Sequence, residues 1–170
     1  MTNIVASSPI RARPRHTASA RTRWWGPVLA GAAGFWLANL LISLTPVAAD
    51  YRSALSIAYV PMLLEAAAGG LVVAAAVTFV LARYPRHVPG DRPMVKALAL
   101  ALAALVVLTV VIEVPAKLRA GLPDLGRWLF VATVFNTVRV LALGVAIGWV
   151  TGAHRWAPSS RRLSPEDEAP

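Results

Sequence analysis

Among the polar side chains inside otherwise apolar stretches of this chain, six could do chemistry together: Asn39, Glu65, Glu113, Thr133, Asn136 and Arg139. Their types could do proton-transfer chemistry. A carboxylate, Glu65 or Glu113, can take a proton from an acidic C–H, while the Arg139 guanidinium and an amide hold the resulting negative oxygen. Glu65, Glu113 and Arg139 are therefore the catalytic candidates, and Asn39, Thr133 and Asn136 the substrate-binding ones. Asn136 and Arg139 are three residues apart and share a helical face, with Thr133 three before on the same side. Glu65 is expected ~15 Å and Arg139 ~16 Å from the outer start of their helices, at 1.5 Å per residue. Matched depth and opposite charge predict a Glu65–Arg139 ion pair, with Glu113 the competing partner nearer the outer surface. Two readings follow. The pair could fix helix register alone, or the group could line a polar cavity, since ionisable residues in apolar segments mark functional sites by default.

The elements that must position these groups are apolar blocks. The chain is 57% hydrophobic, against about 45–50% for a typical soluble domain. Residues 24–49 carry no charge, 53–82 carry only Glu65, 97–112 none, and 128–153 only Arg139. About 20 apolar residues span a hydrocarbon layer ~30 Å thick. The prediction is an all-α integral membrane four-helix bundle within residues 23–156, with helices near 24–48, 55–82, 95–115 and 128–152. Residues 1–22 and 157–170, rich in Ser, Pro and charge, are expected to be disordered. Basic residues set orientation. Those of the N-terminal segment, the 83–96 connection and the tail number twelve, against four in the other two connections, Arg52, Lys117, Arg119 and Arg127. Both ends are thus expected in the cytoplasm. Trp24, Trp25, Tyr51, Tyr59, Trp128, Trp149 and Trp156 fall at the expected interfaces.

The net charge of +9 would suggest nucleic acid in a soluble chain. Here the charge flanks apolar blocks, and topology accounts for it. Fifteen of the seventeen basic residues are Arg, which with abundant Ala, Val, Gly and Pro points to a GC-rich bacterial genome and a plasma-membrane location. The chain has no Cys, which excludes disulfides and thiol chemistry. His16, His87 and His154 are scattered in terminal or loop segments, so no metal site is expected. No Walker, Gly-x-Ser-x-Gly or Gly-x-Gly-x-x-Gly motif is present, and no cofactor is called for. Small residues recur at Gly26, Ala30, Gly34 and Ala38, at Ala66–Gly70, and at Gly144, Gly148 and Gly152, which suits close helix contact. A rival to the first span is a signal peptide ending at Val47-Ala48-Ala49, disfavoured because its apolar run is too long.

One segment carries a family likeness. Thr109-Val-Val-Ile-Glu-Val-Pro115 closes the third block, Trp128 opens the fourth, and Phe135-Asn136-Thr137-Val138-Arg139 follows. Residues 105–145 resemble the anthrone-oxygenase-like family of small four-helix membrane proteins. That family tends to have Pro-Ile-Asn where Pro115-Ala116-Lys117 stands here, and an aromatic Trp at the place of Phe135. The resemblance implies cofactor-independent oxygenation of a polyketide-like aromatic. The residues themselves leave open whether the chain is an enzyme. The expected function is a multi-pass membrane protein with a polar intramembrane pocket; the alternatives are an accessory subunit of a larger membrane complex and a small transporter. Expected partners are membrane lipids, a lipophilic small-molecule substrate, and a second copy or a membrane-complex partner, with no nucleic acid.

Overall fold

The structure, a computed structural model, describes residues 18–121 and 124–156. Six α-helices are found there: α1 (Ala18–Ser43), α2 (Pro46–Ala54), α3 (Tyr59–Arg83), α4 (Pro93–Leu108), α5 (Val114–Arg119) and α6 (Leu125–Trp156). A π turn, Thr109–Glu113, joins α4 to α5 in one continuous rod. Four stretches are long and apolar enough to cross a membrane: Trp24–Ser43, Tyr59–Arg83, Pro93–Arg119 and Leu125–Ala153. The protein is an all-α, multi-pass membrane bundle whose outward faces meet lipid. Leu29, Leu64, Val72, Val106, Val111 and Phe130 are among the large apolar side chains on those faces. Of the ends expected to be disordered, residues 18–22 form the first turn of α1, and 1–17 and 157–170 lie outside the described residues.

Side-chain size sets the order of helices. α6 packs along both α1 and α4, α1 also packs along α3, and the α3–α4 seam is the thinnest side of the ring. Gly34 lets α1 approach α6 so closely that a Cβ there would lie 2.9 Å from the Ala142 carbonyl oxygen. Gly144 does the same on the other side of α6, where a Cβ would lie 2.9 Å from Ala101 Cβ. Val28, Ala74, Val77, Ala97, Ala101, Leu143 and Ile147 form the core this closeness creates. It lies in the half of the bundle next to the 84–92 connection.

Three boundaries depart from the sequence expectation: the end of the first span, the start of the second at Tyr59, and the end of the third. The first span ends at Ser43, not near residue 48, because Thr45 and Pro46 start a new helix. The Thr45 side chain accepts from the Ala48 N–H, and Pro46 needs no donor at the first helical position. Ser56, with φ 53°, then takes the left-handed turn that separates α2 from α3. The third span does not stop at Val114-Pro115. Pro115 has no N–H and crowds the carbonyl four residues back. The π turn absorbs this: the Val114 N–H reaches the Thr109 carbonyl, and the rod continues to Arg119.

Candidate functional site

The π turn decides where Glu113 points. Its carboxylate accepts from the Lys117 ammonium, one helical turn further on, and from Asn136 Nδ2 of α6 at 2.9 Å. The Asn136 amide oxygen in turn accepts from Arg139 Nη1 at 3.1 Å. Lys117, Glu113, Asn136 and Arg139 thus form one polar chain that ties α5 to α6. Lys117 was expected in an exposed outer connection; it is 4% exposed, held by Glu113 and lying 5.5 Å from the Tyr51 ring centroid.

Beside this chain is a cavity of about 330 Å³, at the end of the bundle that carries α2. Asn39, Glu65, Glu113, Asn136 and Arg139, taken from four different elements, all line it. α2 roofs it. Ala48, Tyr51 and Arg52 fall on one face at helical spacing and reach the cavity. The Tyr51 ring meets Trp128 and Phe135 edge-on, each at 5.8 Å between centroids. Arg52 donates to the Ser43 carbonyl at 3.1 Å and lies over the Tyr59 ring. Ser43 and Tyr59 hydroxyls are 3.2 Å apart. The sequence expectation omitted Ser43, Tyr51, Arg52 and Lys117. The Thr45-Pro46 start signal, followed by residues spaced for one face, could have revealed Tyr51 and Arg52.

The expected Glu65–Arg139 ion pair is not formed. Among the described residues the one ion pair is Lys117–Glu113. The reason lies in the helix starts. Leu55 belongs to the link, so Glu65 is only six residues, about 9 Å, below the start of α3, whereas Arg139 is fourteen residues, about 21 Å, into α6. Glu65 is exposed at the cavity rim. Thr133 also departs from expectation. It is exposed and donates to the Leu129 carbonyl at 2.8 Å, away from the cavity lining. At 100° per residue it is turned ~120° from Arg139, with Asn136 between them.

What the cavity can do follows from the groups left over. Glu113 is doubly bonded. Asn39 is 1% exposed, yet neither its amide nitrogen nor its oxygen has a partner among the described residues. Arg139 Nε is likewise buried without an acceptor, and no carboxylate lies within ion-pair distance of this guanidinium. An unpaired buried polar group costs ~1–3 kcal/mol. Two lining residues, Asn39 and Arg139, therefore keep shielded donors unpaired, and Glu65 at the rim is a carboxylate outside any ion pair among the described residues. Among the described residues no group of three His, Asp or Glu side chains is placed to hold a metal. No protein-family model matches the chain, and no curated protein or solved structure matches it.

Proposed function

We propose that this protein binds a lipophilic small molecule bearing an exposed oxygen, such as an aromatic ketone, in the cavity under α2. The observation that carries this reading is Asn39: a fully shielded amide with both polar atoms unpaired, lining a space that also holds the unpaired Nε of Arg139. A ligand oxygen accepting from Asn39 Nδ2 and Arg139 Nε would remove the desolvation cost of those two donors. Apolar lining from Phe35, Ile42, Val73, Leu108 and Ile112 suits the hydrocarbon part of such a ligand.

The sequence likeness to the anthrone-oxygenase-like family extends the proposal to chemistry. Glu65, the carboxylate without an ion-pair partner, would take the proton from a C–H next to a carbonyl. Asn39 and Arg139 would hold the enolate oxygen, and the carbanion would form a C–O bond with molecular oxygen; the resulting peroxide takes the proton back from Glu65 and loses water to leave the quinone. The test uses anthrone and its hydrocarbon counterpart anthracene. Anthrone should raise the melting temperature of the detergent-solubilised protein, and Arg139→Met should abolish the shift. An equal response to anthracene would refute recognition through oxygen. Oxygen uptake with anthrone that Glu65→Gln removes would support the catalytic step.

The charge bias supports both ends cytoplasmic and the α2 end outside, and the Arg-, Ala-, Val-, Gly- and Pro-rich composition supports a bacterial plasma membrane. A cysteine at Arg119 should then react with an impermeant thiol reagent on intact cells, and one at Arg86 should not. The reverse labelling would invert the topology.

A further inference from the structure

A second cavity, of about 350 Å³, lies at the opposite end of the bundle, next to the 84–92 connection. Trp24, Thr78, Asp91, Lys96 and Thr151 line it, drawn from all four spans and the connection itself. Thr78 is the informative residue. A threonine inside an apolar helix ordinarily turns its hydroxyl back to a carbonyl three or four residues earlier. Thr133, Thr137 and Thr151 all do so here. Thr78 is 4% exposed and its hydroxyl has no partner among the described residues.

The charges in this cavity are also held apart. Lys96 donates to the Pro85 carbonyl, which fixes its ammonium at the rim. Asp91 lines the same cavity, yet the two form no ion pair. Among the described residues, one cation, one carboxylate and a spare hydroxyl line this space, and they match a zwitterion whose negative part accepts hydrogen bonds and whose positive part donates them. The site is at the level where the helices leave the apolar layer; basic pockets between spans at that level hold anionic headgroups, and here Asp91 adds a partner for a positive group. The walls from Trp24, Pro27 and Leu81 are apolar, as glycerol and the first acyl carbons require.

We propose that this cavity is a binding site for a phospholipid headgroup that joins a phosphate to a primary ammonium. The phosphate accepts from Lys96 and from the Thr78 hydroxyl, and the ammonium donates to Asp91. The assignment is independent of the cavity under α2.

Native mass spectrometry of the full chain, loaded with defined lipids, tests it. The protein should retain phosphatidylethanolamine in preference to phosphatidylcholine, whose quaternary ammonium has no N–H, and to phosphatidylglycerol, which has no cation. Asp91→Asn should abolish that preference. Thr78→Val, which keeps side-chain shape, should weaken retention about three- to tenfold, and Lys96→Gln by about tenfold or more. Lys96→Arg should retain the lipid, which separates loss of charge from loss of the Pro85 contact. If Lys96→Gln does not fold, Thr78→Val and Asp91→Asn decide alone. Equal retention of the three lipids, or retention that Thr78→Val and Asp91→Asn leave unchanged, overturns the proposal. Displacement of the lipid by millimolar phosphoethanolamine as effectively as by fresh lipid would assign the site to a soluble compound and also overturn it.

Discussion

The two halves of the bundle solve opposite problems. Between mid-bundle and the cavity beside the 84–92 connection, Gly34, Gly144 and the alanines bring α1, α4 and α6 into close contact, and Val, Leu and Ile fill the space between helices. Under α2 the same helices diverge around a cavity, and the side chains facing it are Asn39, Glu65, Glu113, Asn136 and Arg139. In lipid, helices gain nothing by hiding apolar surface from water, so close approach and hydrogen bonds must hold them. The tight half supplies the first and the open half the second, through the Lys117–Glu113–Asn136–Arg139 chain. The difference teaches that the cavity can stay open because the other half holds the helices together without it.

The largest effect is expected where the open half depends on a single carboxylate. Glu113→Gln leaves Lys117 shielded without its counter-ion, which typically costs ~3–5 kcal/mol, or a fall in melting temperature of roughly 10 °C or more. Adding Lys117→Met should recover much of the loss. Glu65→Gln should change the melting temperature little, since Glu65 is exposed and holds no ion pair. Thermal melts of these variants in detergent check the ranking; a Glu65→Gln variant as unstable as Glu113→Gln would mean that the two carboxylates have exchanged roles.

In the tight half, Gly34→Leu should cost ~1–3 kcal/mol or more, because its Cβ alone would press on the Ala142 carbonyl oxygen. Gly152→Leu, with nothing within 4 Å of the added Cβ, should be close to neutral. The same melts, with size exclusion to detect an expanded or aggregated chain, distinguish the two. Equal effects would show that close approach does not hold this half.

The spans were legible because apolar blocks announce themselves by length. α2 was hidden by its shortness, although Thr45-Pro46 marks its start. The polar residues were legible as a set, and five of the six line one cavity. Their pairing was not. A register error of four residues at the start of α3 is about 6 Å of depth, enough to invent the Glu65–Arg139 pair. Continuation of the third span through Pro115 was equally hidden, since Val-Pro reads as a stop and only the π turn shows how the rod passes it. That continuation is what buries Lys117 and gives Glu113 to Asn136.

The central claim is that Asn39 is kept for a ligand and not for the fold. The melting temperature of Asn39→Leu in detergent, without ligand, tests it most directly. Leu has the same length and branching as Asn, the cavity beside residue 39 has room for its bulkier methyl groups, and the substitution removes two unpaired buried polar atoms. The account predicts a melting temperature higher than that of the parent, by the few degrees that ~1–2 kcal/mol represents. A lower melting temperature, as loss of a structural amide between helices would produce, would contradict it.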